Sequence, residues 1–345
     1  MKKIVLLLMV FVLSTGILAG CQNKDQTVLN VYNWGDYIDE DIFKTFEEET
    51  GIKINYETFA TNEEMYTKIK KGGTKYDIAI PSDYMIEKMI NEDLLETIDL
   101  TKIPNYSNIN ERFKNLDFDP ENKYSVPYFW GTVGIIYNTN LITDPIDSWD
   151  ALWDEKYAGK FTMIDSQRDS IMVALKKLGY SMNTKDLGQL EEAKEALIAQ
   201  KPLVLAYVGD NVKDMLISEE AAMAVVWSGE ASAVIQEYDY FEYVLPKEGS
   251  NMWFDNIIIP KGAKNIDAAH QFIDFLCRGD IGFKNADYVG YATCNDETMK
   301  LLDSELMGKT YTYPDQSLLE NFEIFSDPGD FILEYDRIWT EMKAK

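Results

Sequence analysis

From residue 28 onward the chain alternates short β-branched runs with amphipathic segments, and this alternation restricts the fold more than any other feature. Residues 28–32 read as a strand, and 39–49 as a helix with acids in its first turn and Gly51 as terminator. A second strand is expected at 52–56. Thr61-Asn62-Glu63-Glu64 then forms a capping box for a helix that ends at Gly72-Gly73, and 76–80 form a third strand stopped by Pro81. Such a pattern predicts a mostly parallel α/β sheet whose ligands lie beyond the carboxyl ends of the strands.

A second run of the same kind follows, with strands at 160–164, 203–208, 222–227 and 241–245, and helices at 169–178, 185–200, 211–218 and 230–237. Between the two runs, residues 126–138 are extended and apolar and are expected to cross from one lobe to another near residue 132. Residues 252–260 are expected to return, ahead of helices at 265–277, 280–288 and 332–342. With 345 residues, 46% of them apolar, the chain exceeds one compact domain. The expected division is 28–132 plus 256–302 in the first lobe and 133–255 plus 303–345 in the second.

The return segment carries chemistry. In an extended Met252-Trp253-Phe254-Asp255, Trp253 and Asp255 point to the same side, placing an indole beside a carboxylate. An aromatic face attracts a cation and a carboxylate neutralises it, so the pair suits an organic ammonium better than a metal or an anion. The same pairing recurs in Trp34-Gly35-Asp36-Tyr37, in Asp83-Tyr84, in Trp227 ahead of Glu230, and in Asp287-Tyr288 ahead of Tyr291. Two of these fall at the ends of the first three strands, where a crevice is expected.

The charge balance is lopsided, 33 Lys+Arg against 59 Asp+Glu for a formal −26, which argues against nucleic acid and anionic lipid partners. Arg112, Arg168, Arg278 and Arg337 are thin equipment for capturing anions. A lone histidine, His270, reads as a surface helix residue and supports neither a catalytic triad nor a histidine-rich metal site; no cofactor or metal is expected. Cys277 and Cys294 read as free packing residues, with a disulfide between them left open.

Residues 1–20 join Lys2-Lys3 to an apolar run and a small-residue exit, the pattern of a secretory signal. They end in Leu18-Ala19-Gly20-Cys21, which resembles the lipobox of bacterial lipoproteins, in which the cysteine is diacylated at the new N-terminus. Residues 21–27 would then be a tether, and the lipid on Cys21 the only attachment to the membrane.

The chain resembles the bacterial extracytoplasmic spermidine/putrescine-binding proteins of ATP-driven importers. The resemblance rests on Tyr32-Asn33-Trp34, Thr50-Gly51-Ile52-Lys53, Pro81-Ser82 with Tyr84, Ser125-Val126-Pro127-Tyr128, Pro246-Lys247-Glu248-Gly249, Trp253 with Asp255, and Gly290-Tyr291. It implies two α/β lobes closing over a hinge cleft with two crossing segments, a periplasmic-binding-protein-like fold. It further implies that Trp34, Tyr37, Tyr84, Trp227, Trp253 and Tyr291 enclose the methylene chain. Asp255 would hold one ammonium and Asp169 the other end, with Asp36 a further acid and Ser82 a hydroxyl partner. Ser166 stands where spermidine-binding members have a second aspartate, and an amide-bearing residue is replaced near Phe325, which makes a diamine such as putrescine credible. The implied partners are a polyamine and the permease subunits of the importer, on the outer face of the cell membrane. Rival readings are a glycosidase-like hydrolase using Asp169 and Asp255, a ferric iron protein using the tyrosines, a sugar-binding protein using the tryptophans, and a surface adhesin or sensor.

Overall fold

The computed structural model describes residues 26–73, 75–209, 211–302, 309 and 311–345. The expected signal segment, Cys21 and most of the tether lie outside the described residues. The first βα run forms as its periodicity dictates: β1 (Val28–Trp34), α1 (Asp41–Thr50), β2 (Lys53–Phe59), α2 (Asn62–Lys71), β3 (Ile78–Ala79) and α3 (Asp83–Asn91). Gly51 ends α1 at φ +73°, a backbone region where a side chain would be strained. Thr61 caps α2 by accepting from Glu64 N at 3.1 Å, while the Glu64 carboxylate accepts from Ala60 N. The expected strand at 76–80 shortens to two residues because Pro81 and Ser82 turn the chain into α3.

β4 (Ser125–Asn138) is buried along all 14 residues, about 46 Å of strand at 3.3 Å per residue. The second run supplies β5 (Phe161–Ile164), α4 (Gln167–Lys177), α5 (Leu187–Gln200), β6 (Val204–Val208), α6 (Val212–Ile217), β7 (Met223–Trp227), α7 (Ser228–Glu237) and β8 (Phe241–Val244). The chain returns through β9 (Met252–Ile258), α8 (Ile266–Leu276), α9 (Gly279–Val289), β10 (Ala292–Thr293) and α10 (Asp296–Met299), and ends in α11 (Ile332–Ala344).

The strand order is β2-β1-β3-β9-β4-β7-β5-β6, with β8 and β10 also on β4. Residues 125–132 of β4 pair with β9, and residues 133–138 with β7 and β8, so one strand serves both sheets. The sheet is mixed rather than mostly parallel. β1, β2 and β3 are mutually parallel, as are β5, β6 and β7, but β4 and β9 run antiparallel because strands that leave and return must oppose.

One apolar cluster gathers Val31, Phe46, Ile78, Phe129 and Phe272, and another gathers Val133, Trp149, Phe161, Met163 and Met223. Adjacent residues of β9 divide between them, Trp253 with the second and Phe254 with the first, as strand alternation requires. The tail is divided rather than going wholly with the second lobe: Tyr313 and Leu319 pack on the first cluster, Phe325 lies in the second, and Tyr335, Ile338 and Met342 of α11 pack with α4 and α5. His270 is a correction. It is buried, its Nε2 accepting from Asp99 N at 2.9 Å, which leaves the proton on Nδ1 to donate to Ile266 O at 2.7 Å. Cys277 and Cys294 are free and buried, and burial pushes both thiols up.

Candidate ligand-binding site

β9 brings Asp255 against Pro81-Ser82. Ser82 and Asp255 form an isolated antiparallel bridge, and Asn256 N donates to Pro81 O at 3.1 Å. The register is fixed by Asp83, a fully buried acid whose carboxylate accepts from Phe254 N at 2.9 Å and Tyr84 N at 2.7 Å. That leaves the Asp255 carboxylate, 6% exposed, with the Tyr37 hydroxyl donating to Oδ2 at 2.7 Å and with Oδ1 meeting no partner among the described residues. Burial lifts its carboxyl from 3.8 to about 6, and the nearby Ser82 side chain and the Tyr37 hydroxyl restrain the rise; among the described residues no lysine or arginine does so.

Aromatic rings extend from this acid. The Tyr37 ring meets Tyr291 edge-on at 5.5 Å, and Tyr291 meets Trp253 at 5.0 Å. Two glycines make room for them. A Cβ on Gly131 would come within 2.4 Å of the Trp253 indole, and one on Gly229 within 2.2 Å of the Tyr291 ring. Gly229 opens α7, whereas Tyr291 follows α9, so this contact joins elements of the two lobes. The Tyr291 hydroxyl donates to Glu230 at 2.9 Å. Tyr84 touches both clusters, 6.2 Å from the Phe325 ring, with its hydroxyl between Asn62 and Glu63.

Asp169 lies in the first turn of α4, whose N-cap is Ser166, so the helix starts earlier than the expected residue 169. The Ser166 hydroxyl donates to Asp169 Oδ2 at 2.8 Å, Asn251 Nδ2 donates to Oδ1 at 3.3 Å, and the Trp227 indole adds a hydrogen bond. Burial raises the Asp169 carboxyl despite these donors and the nearby Arg168. The fold thus brings together Tyr37, Ser82, Asp255, Trp253 and Tyr291 in one group and Ser166, Asp169 and Trp227 in another. Trp34 stands off, tilted against Phe59 at 4.5 Å. Asp36 is exposed on a turn at φ +47°, where its charge reaches Tyr56.

Three participants escaped sequence reasoning. Arg168 is buried, its guanidinium over the rings of Phe325 at 4.3 Å, Tyr335 at 5.0 Å and Tyr84 at 5.5 Å. Asn251 bonds Asp169. Asn285 donates to Tyr128 Oη at 2.7 Å, and Tyr128 donates to the Tyr37 carbonyl at 2.9 Å, which seats the loop carrying Tyr37. Only Asn251 carried a signal: it stands two residues before Trp253, as Asp255 stands two after. A cavity of about 20 Å³ beside Tyr128 and Asn285 is large enough for one water and too small for an organic ligand.

Two lobes joined by long crossing strands, with rings and buried acids where they meet, define an extracytoplasmic solute-binding protein. The chain belongs to the bacterial extracellular solute-binding protein family, whose model matches residues 41–303. It is 38% identical over 325 residues to the spermidine/putrescine-binding periplasmic protein of Salmonella typhimurium, covering 93% of each chain. Among solved structures, an ABC transporter protein from Listeria monocytogenes is 45% identical with a TM-score of 0.89, over 92% of this chain and 99% of that one. The spermidine/putrescine ABC transporter substrate-binding protein PotD from Streptococcus pneumoniae is 44% identical with a TM-score of 0.82, with the same coverage. No helix among the described residues is long and apolar enough to cross a membrane.

Proposed function

We propose that this protein binds a polyamine, putrescine or spermidine, outside the cytoplasm and delivers it to the permease subunits of an ATP-driven importer. One observation carries the reading: Asp255 is a buried acid that has, among the described residues, one oxygen without a hydrogen-bond partner and no cationic side chain to neutralise it, set beside the edge-on rings of Tyr37, Tyr291 and Trp253. A desolvated carboxylate without a counter-charge is costly, so the site favours a ligand that brings an ammonium and an apolar stem. The relatives named for spermidine and putrescine support the same choice.

In this reading Asp255, with Tyr37 and Ser82, takes one ammonium and Asp169, with Ser166, takes the other. Trp227, Trp253, Tyr291 and Tyr84 wall the methylenes, and Asp36 steers cations toward the entrance. The protein would be a carrier and not an enzyme, with both carboxylates serving as counter-charges. It would be held at the membrane by a lipid on Cys21, and closure of the two lobes over the ligand would create the surface that the permease reads.

The test is a thermal-shift series with putrescine, cadaverine, spermidine and spermine. A ligand bound by the folded state alone raises the melting point with ln(1 + [L]/Kd). The expected outcome is a saturable rise with at least one of the four. No rise with any of them at millimolar concentration would reject the proposal.

A further inference from the structure

The side of β9 that bears Trp253 and Asp255 extends backward to Asn251, which bridges Glu323 and whose carbonyl accepts from Val133 N at 3.1 Å. The chain is therefore extended through this point, and Asn251, Trp253 and Asp255 lie at alternate positions on one face. Asn251 is 2% exposed. Its Nδ2 faces the Asp169 carboxylate at 3.3 Å, and this contact fixes the amide, because the reverse orientation would set two acceptors against each other. Oδ1 is consequently turned away from Asp169, and it is buried without a hydrogen-bond partner among the described residues. A buried carbonyl oxygen left unpaired is expensive and rare in folded proteins.

We infer that Asn251 is a ligand-binding residue: its Oδ1 accepts from the terminal primary ammonium held at the Asp169 end. This deepens the polyamine reading and rests on it. A primary ammonium carries three N–H donors, and Asp169, Asn251 Oδ1 and the lone pairs of Ser166 Oγ offer it three acceptors. A secondary ammonium has two N–H donors and leaves one of these acceptors unmet. The Asp169 end is therefore specific for a chain terminus rather than an internal nitrogen, and the Asn251 oxygen, not its NH2 group, supplies part of that specificity.

Two substitutions separate the acceptor role from simple support of Asp169. Asn251→Leu removes both the acceptor and the donor, whereas Asn251→Asp keeps an acceptor and removes the donor. By calorimetry with putrescine at pH 8, Asn251→Leu is expected to lose affinity about tenfold or more, as for a hydrogen bond to a charged group, and Asn251→Asp to stay within about threefold of the parent. Unliganded melting temperatures, recorded for each variant, show which of them fold. If Asn251→Leu does not fold, Asn251→Asp decides alone. Parent-like binding by Asn251→Leu, or a loss in Asn251→Asp beyond about tenfold, overturns the assignment. If the parent itself binds none of the four amines, the polyamine reading fails instead, so the two failures are distinguishable.

Discussion

Replacing Asp255 by asparagine should push folding and binding in opposite directions. In the unliganded protein, burial raises this carboxyl from 3.8 to about 6. At 1.36 kcal/mol per tenfold, keeping it charged at pH 8 costs the empty fold on the order of 3 kcal/mol. Asparagine keeps the acceptor for the Tyr37 hydroxyl and removes the charge, so the unliganded variant should melt a few degrees higher. Binding should collapse. Removing one partner of a buried ion pair costs about 3–5 kcal/mol, roughly two hundred- to five thousandfold in Kd. Calorimetry with putrescine, beside melting curves with and without ligand, reads both effects in one set of samples. A variant that binds like the parent refutes the role of Asp255 as counter-charge, and one that melts lower refutes the account of its burial.

Because the folded, unliganded Asp255 holds its proton more tightly than the unfolded chain does, this group adds stability to the empty protein as pH falls from about 6 toward 4. Amine binding needs the carboxylate, so affinity should fall below pH 6, by about tenfold per unit; calorimetry giving one Kd from pH 8 to 5 would contradict this. Gly229→Ala places a Cβ 2.2 Å from the Tyr291 ring and should weaken binding at least tenfold while each lobe stays folded, seen as lost affinity with unchanged circular dichroism. Trp34→Phe keeps an aromatic face at a position away from the Tyr37–Trp253 group, so a titration should find Kd within about threefold of the parent.

The fold was legible where periodicity alone decides. The alternation from residue 28, the apolar run of β4 and the β-branched end of β9 gave the strands and helices with small boundary shifts. Polarity of the sheet was less legible, because a sequence does not announce that two crossing strands must run in opposite directions. Trp253 and Asp255 were readable as a pair through strand geometry. The Tyr37–Asp255 hydrogen bond joins residues 218 apart and exists only once β9 has returned to the sheet of the first lobe. His270 read as a surface helix residue and Arg168 only as one of four scarce arginines, and tertiary packing buried both: a backbone donor satisfied the first, and three aromatic rings covered the second. Asn251 was hidden because a polar residue at a strand entrance resembles turn chemistry.

A crystal structure of the protein grown with putrescine is the most direct measurement of how the site works. One amine nitrogen is expected within hydrogen-bond distance of Asp255, the other beside Asp169, and the methylenes across the Trp253 indole between them. Putrescine bound elsewhere, or with neither nitrogen on these two carboxylates, would contradict the account.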